Sequence, residues 1–281
     1  MRLAAYVLLA DAAWLEASIL SYYDAVDKIV ASYDEEYKGW SGVPVPVDEC
    51  IRRLKAIDHE RKVVWLPGRY RAAPGCHLMH EETAQRQAAL DLAAEGSDWV
   101  LQIDCDEVVS DLTTLVDRIS EAHRAGASGL EYPARYLNVR IGGRWYLEYA
   151  QRYGRTWPVI PGPIAVRQTA RLQWARQISG KSLRCSWQNN GSSLAAITKS
   201  QAIIHLAMIR TPEAMQWKSE ASGHAADVDW GRRLAEWRSA TRNPLWAMIE
   251  SYLRRDRQHQ RLARIKLKLD PAYLPSGVEG K

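Results

Sequence analysis

The chain has 281 residues, 47% of them hydrophobic and 25% charged, with a formal net charge of +5. That is ordinary soluble globular composition, with room for one large domain or one domain plus an appendage. Four cysteines without CxxC spacing point to a reduced, cytosolic protein rather than a disulfide scaffold. Phe is absent, so 12 Trp and 13 Tyr carry the aromatic load; both pair bulk with a polar handle, which suits sugar or base pockets.

The N-terminal MRLAAYVLLADA loosely imitates a secretory signal, but Leu3–Ala10 is too short to span a membrane and leads into an amphipathic stretch. It is read as a first buried strand, and no other segment approaches transmembrane length. Further strand-like runs follow at Lys28–Tyr33, Lys62–Leu66 and Trp99–Ile103, separated by helix-like stretches near 13–23, 48–58 and 82–95. Strands alternating with helices of that size predict right-handed crossovers and a parallel sheet. Ligands of such sheets bind outside the carboxyl ends of the strands. Three strand ends deliver acids there: Asp11, Asp34, and the group Asp104, Asp106 and Glu107. A helix N-cap is the competing role, and for Asp11 the favoured one.

The last group is the most demanding, because clustered acids repel unless something positive sits among them. Four readings stand side by side: a divalent-metal site for a nucleotide diphosphate, helix capping with Ser110 or Asp111 opening the next helix, a phosphohydrolase metal site, or a basic protein partner. The position at a strand end after a βαβαβ unit favours the first.

After residue 126 the pattern turns β-rich, with a hairpin signal at Gly142-Gly143 and a buried strand in QAIIHLAMI, 201–209. Thr211-Pro212-Glu213 opens a helix, and two more helical stretches follow. From Tyr149 through Pro212 there is no Asp or Glu, while nine Lys/Arg fall inside: Arg152, Arg155, Arg167, Arg171, Arg176, Lys181, Arg184, Lys199 and Arg210. This predicts a positive wall for phosphates or an anionic acceptor. The C-terminal run from Tyr252 to Asp270 is basic with apolar residues at helical spacing. It reads as a helix that packs on the domain with a solvated face, or that seats the protein on an anionic membrane holding a lipid-linked acceptor.

The order of strand, helix, KIVASYD, strand, the helix EETAQRQAAL and DWVLQIDCDE resembles the GT-A glycosyltransferases of family 2 type, over roughly residues 1–125. The resemblance implies an α/β fold of the nucleotide-diphospho-sugar transferase kind: a mainly parallel sheet flanked by helices, with a C-terminal helical extension. Residues 1–125 become the nucleotide-sugar half, 126–228 the acceptor-side half, and 229–281 a basic helical extension. It also implies Asp34 on the donor base, Arg86 on the nucleotide sugar, and Asp104 and Asp106 on ribose and Mn²⁺ or Mg²⁺. Asp11 joins the donor side. His205, otherwise a core histidine in an apolar strand, becomes an added metal ligand. The first strand ends LLADAAW where the family usually has an Asn-Glu pair.

The expected activity is transfer of a sugar from a nucleotide diphosphate, a UDP-sugar first, to an unknown acceptor, in the cytoplasm or at the inner face of the membrane. An inverting route needs a carboxylate near the acceptor hydroxyl. Glu148, which flanks the acid-free segment, is chosen over Glu131, Asp227 and Asp229; if none serves, a retaining route follows. The alternatives are a nucleotidyltransferase, against which LLADAAW lacks a Gly-rich basic loop, and a non-catalytic nucleotide- or nucleic-acid-binding protein.

Overall fold

A computed structural model describes residues 1–142, 145–150, 161–187, 194–223, 225, 227–253 and 261–267. Its first four strands are β1 (Leu3–Leu8), β2 (Lys28–Asp34), β3 (Val63–Gly68) and β4 (Trp99–Gln102), joined through α1 (Leu15–Leu20), α2 (Val47–Ile57) and α3 (Leu78–Ala94). All four run parallel, with β1 hydrogen-bonded between β2 and β4. β1 is buried along its whole length, as a strand covered by helices on both faces must be. Later chain returns to the same sheet as β6 (Gly129–Glu131), β9 (Pro163–Arg167) and β12 (Ser182–Arg184). The strand order is β12-β6-β9-β4-β1-β2-β3, and β9 alone runs against its neighbours. This mainly parallel sheet flanked by helices is the α/β architecture that the GT-A resemblance implies.

A second sheet, ordered β14-β8-β7-β13-β5, sits beyond the carboxyl end of β4. It comprises β5 (Glu107–Val108), β7 (Ala134–Arg140), β8 (Trp145–Ala150), β13 (Ile203–His205) and β14 (Arg261–Lys266). β7 and β8 form the expected hairpin, with Gly142 at φ +82° in its turn; Gly143 lies outside the described residues. The buried strand expected over 201–209 is only three residues long, because Lys199–Gln201 forms a 3₁₀ turn and the chain bends again after His205. α4 (Leu112–Arg124) starts at Asp111, whose carboxylate accepts from the Thr114 amide, as the capping reading required. Thr211 caps α5 (Pro212–Ala221) in the same way. Asp11 does not cap a helix: α1 begins only after Trp14.

α6 (Trp230–Arg242) and α7 (Pro244–Leu253) form the C-terminal helical part. The basic run after them differs from expectation, since Arg261–Lys266 is strand β14, paired antiparallel with β8. The open edge of β8 supplies backbone partners for the whole segment, which outweighs its helical spacing. No helix among the described residues is long and apolar enough to cross a membrane.

Candidate functional site

β4 delivers the chain into a tight turn in which the Glu107 amide donates to the Asp104 carbonyl, and the Glu107 carboxylate accepts from the Asp104 amide. The turn lets the chain reverse into β5, which pairs with β13 so that His205 lies opposite Glu107. β13 also pairs with β7, and the His205 ring stacks on Tyr136 at 4.2 Å. Two short ladders thus bring residue 205 beside residues 104–107.

The positive partners come from three other elements. Arg86 on α3 lies between Glu82, one turn back at 2.9 Å, and Asp104 Oδ1 at 2.9 Å. Arg176 sits in the tight connection between β10 (Leu172–Trp174) and β11 (Gln177–Ile178), where Ala175 adopts φ +49°. A non-glycine residue in that region costs energy and marks a turn that the surroundings enforce. From this turn Arg176 grips both Glu107 oxygens, at 2.6 and 2.8 Å, and reaches Asp104 Oδ2 at 3.2 Å. Arg210 and Lys218 meet Asp106 Oδ2 at 3.1 and 2.8 Å, and Arg210 also pairs with Asp11. The acids are therefore tolerated because fixed cations stand between them.

Titration follows from this packing. Burial alone raises a carboxyl pKa, yet Asp106 is held well below the usual carboxylate range by Lys218, His205 and Arg210, which overcome that penalty. Asp104 is likewise lowered, its burial outweighed by Arg86 and Arg176. Burial pushes the His205 imidazole below its ordinary value, against the pull of Asp106.

Asp104, Asp106, His205, Arg86, Arg176 and Lys218 line a cleft of about 410 Å³ at the carboxyl ends of β1 and β4, with Arg210 buried behind Asp106. Trp40, Tyr136, Trp217 and Trp230 also line it, as does Arg233. The indole N–H groups of Trp40 and Trp217 are anchored to Gln85 and to the Pro44 carbonyl, which fixes the rings at the cleft wall.

The sequence-predicted residues divide accordingly. Asp11, Arg86, Asp104, Asp106 and His205 all line the cleft. Asp34 does not: its carboxylate accepts from the amides of Glu36, Lys38 and Tyr70 and so holds the turn after β2. Glu148 does not either. It is fully buried on β8 with Arg135 at 2.8 Å, so it is not placed to take a proton from an acceptor in this cleft. The positive wall is also dispersed. Arg167 donates to the carbonyls of His123 and Ala127, Arg171 pairs with Asp91, and Arg184 pairs with Glu131; Arg152 and Arg155 lie outside the described residues. Arg176 and Arg210 reach the acids, and Lys218, which sequence reasoning missed, joins them. The acid-free segment held the usable signal: cations with no acids nearby in sequence must find distant ones.

Asp104, Asp106 and His205 do not form a metal site as they stand. Both Asp104 oxygens and one Asp106 oxygen are occupied by basic side chains. Among the described residues the cluster with metal-compatible spacing is instead the exposed Asp24, His59 and Glu60, where Glu60 already pairs with Lys62. Mn²⁺ alone is therefore expected to leave the thermal unfolding midpoint unchanged, since binding stabilises only where a site exists. A clear rise with Mn²⁺ alone, lost in His205→Ala, would show that the carboxylates gather around an ion without help from a ligand.

No protein-family model and no curated protein matches the chain, so the family 2 resemblance finds no counterpart there. Among solved structures, the chain is similar to the 4-diphosphocytidyl-2C-methyl-D-erythritol synthase of Anaerococcus prevotii at 10% identity and TM-score 0.34, over 59% of this chain and 70% of that one. A second, the 2-C-methyl-D-erythritol 4-phosphate cytidylyltransferase of Francisella tularensis, is 10% identical with TM-score 0.30, over 84% of this chain and 86% of that one. At that level of likeness neither a reaction nor a substrate transfers to this chain.

Proposed function

We propose that the chain is a transferase that takes a nucleotide donor in this cleft by its phosphates, with glycosyl transfer from a nucleoside-diphosphate sugar as the first reading. The observation that carries it is the set of fixed cations at the carboxyl end of the central strand, with tryptophans beside them. Breaking a bond to a diphosphate leaves growing negative charge, and preorganised positive groups stabilise that charge without reorganising. Lys218 is the cation best placed to change partners, being 21% exposed at the rim whereas Arg86 and Arg176 are each 6% exposed. A donor phosphate that drew Lys218 away would leave Asp106 Oδ2 to Arg210 alone, and Mn²⁺ or Mg²⁺ is proposed to enter only with such a ligand.

A second reading, nucleotidyl transfer, is favoured by one observation. Each acid lining the cleft among the described residues already has a basic partner: Asp11, Glu82, Asp104 and Asp106. An inverting sugar transfer needs a carboxylate ready to accept the acceptor's proton; attack by an acceptor phosphate, already ionised, does not. Against it, the β1–α1 connection is LLADAAW, whose Asp11 pairs with Arg210 instead of a Gly-rich loop cradling a triphosphate. Glycosyl transfer here accordingly takes a retaining route or an acceptor that arrives ionised. Incubation with UDP-sugars and, separately, with CTP and a phosphomonoester separates the two: free UDP supports the first, pyrophosphate the second, and neither sinks both.

Lys218→Met tests the phosphate role directly. The substitution keeps the apolar stem on α5, and a hydrogen bond to a charged group contributes roughly 1.5–3 kcal/mol. UDP affinity measured by calorimetry is therefore expected to fall about 10- to 100-fold, while Lys218→Arg retains most of it. Unchanged affinity in Lys218→Met would remove this side chain from the donor site.

A further inference from the structure

α7 carries an unusual outer face. Leu245, Trp246, Ile249 and Leu253 are 57%, 53%, 47% and 69% exposed. At about 100° per residue these four fall within roughly 100° of the helix circumference, while Ala247 and Ser251, on the far side, are buried. Large apolar side chains scattered singly need no explanation, but four on one helical stripe do.

One edge of this stripe is basic, and Glu250 flanks the other. Tyr252 borders it, and the Arg261 guanidinium lies 5.3 Å over the Tyr252 ring. Further along β14, Arg264 and Lys266 sit 4.0 and 5.9 Å over Trp145, itself 37% exposed. Aliphatic residues and a tryptophan beside arginine and lysine match an anionic bilayer surface, where acyl chains take the apolar groups and headgroups take the charges. A protein partner fits less well: one stripe on a ten-residue helix offers little of the roughly 1,600 Å² that a stable interface buries in total.

We infer that α7 and β14 form a seat by which the protein binds the surface of anionic membranes peripherally, without crossing them. The inference is independent of what the cleft transfers. It keeps the basic run expected from the sequence, as strand β14, and adds the apolar helix before it.

The test is co-sedimentation of the full chain with vesicles of phosphatidylcholine alone or mixed with phosphatidylglycerol. Binding is expected to the mixed vesicles, weakening as salt rises. The triple variant Leu245→Ser, Ile249→Ser, Leu253→Ser should reduce it by roughly tenfold or more, and Arg264→Glu with Lys266→Glu should reduce it on anionic vesicles. Because the three apolar residues are exposed, the variant should keep the wild-type unfolding midpoint and UDP affinity. Absence of binding to mixed vesicles overturns the inference, as does equal binding by the triple variant. Sedimentation velocity covers the remaining occupant: a concentration-dependent dimer that the triple variant abolishes would assign the face to a second copy, and the membrane seat would fall.

Discussion

Arg176→Met is expected to destabilise the protein by roughly 3–5 kcal/mol, the range for removing one partner of a buried ion pair. Glu107 is fully buried, and its two oxygens are held by Arg176 at 2.6 and 2.8 Å. Without the guanidinium, that carboxylate has the Asp104 amide left, and the Gln102 carbonyl loses the 2.9 Å bond it accepts from Arg176. Methionine fills similar space, so the loss measures the charge more than the volume. Urea unfolding at neutral pH reads it. Adding Glu107→Leu should recover much of the deficit, because replacing both members of a buried pair by apolar groups is often nearly neutral. A loss below about 1 kcal/mol in the single variant would mean that water reaches Glu107 and that the turn does not depend on this pair.

How much of this was legible in the sequence depends on range. Strands β1 to β4 could be read because each is a short apolar run between helix-length stretches, and their parallel order follows from the connections. The carboxyl rim follows too, which places Asp104 and Asp106 in the cleft without coordinates; His205 joins them only through the GT-A resemblance. Partner choice could not. Arg176 lies 72 residues from Asp104 and Lys218 lies 112 from Asp106, and nothing local marks either as a neutralising group. Asp34 failed for the opposite reason: three amides in the turns just after β2 and β3 take its oxygens first, a local demand that an acid at a strand end often meets. Glu148 failed because flanking an acid-free stretch says nothing about facing; β8 turns it inward to Arg135.

Asp106→Asn has the second large expected effect, on stability and on binding in different directions. Asp11 and Asp106 face Arg210 and Lys218, so removing one carboxylate leaves two cations sharing the other. The cost at neutral pH is expected to be roughly 3–5 kcal/mol. Asp106 is held below its ordinary pKa, so the stability it contributes is complete above the unfolded value of about 3.9. That contribution is lost as pH falls below this value, because the unfolded chain takes up a proton that the native chain refuses. The gap between wild type and Asp106→Asn should therefore narrow as pH drops from about 5 to 3, as read by urea unfolding across that range; a constant gap would mean that Asp106 has no depressed pKa. His205, lowered by burial, adds a pH dependence of the same sign just below its unfolded value of about 6.5, and this should persist in the variant. Binding should move the other way. With chelator present, Lys218 in Asp106→Asn has less competition from acids, so UDP should bind at least as tightly as to wild type. Any added affinity from Mn²⁺ should disappear with the carboxylate. Loss of chelator-resistant UDP binding would mean that Asp106 itself contacts the nucleotide, and the phosphates would then not be what the cations of this cleft are held ready to receive.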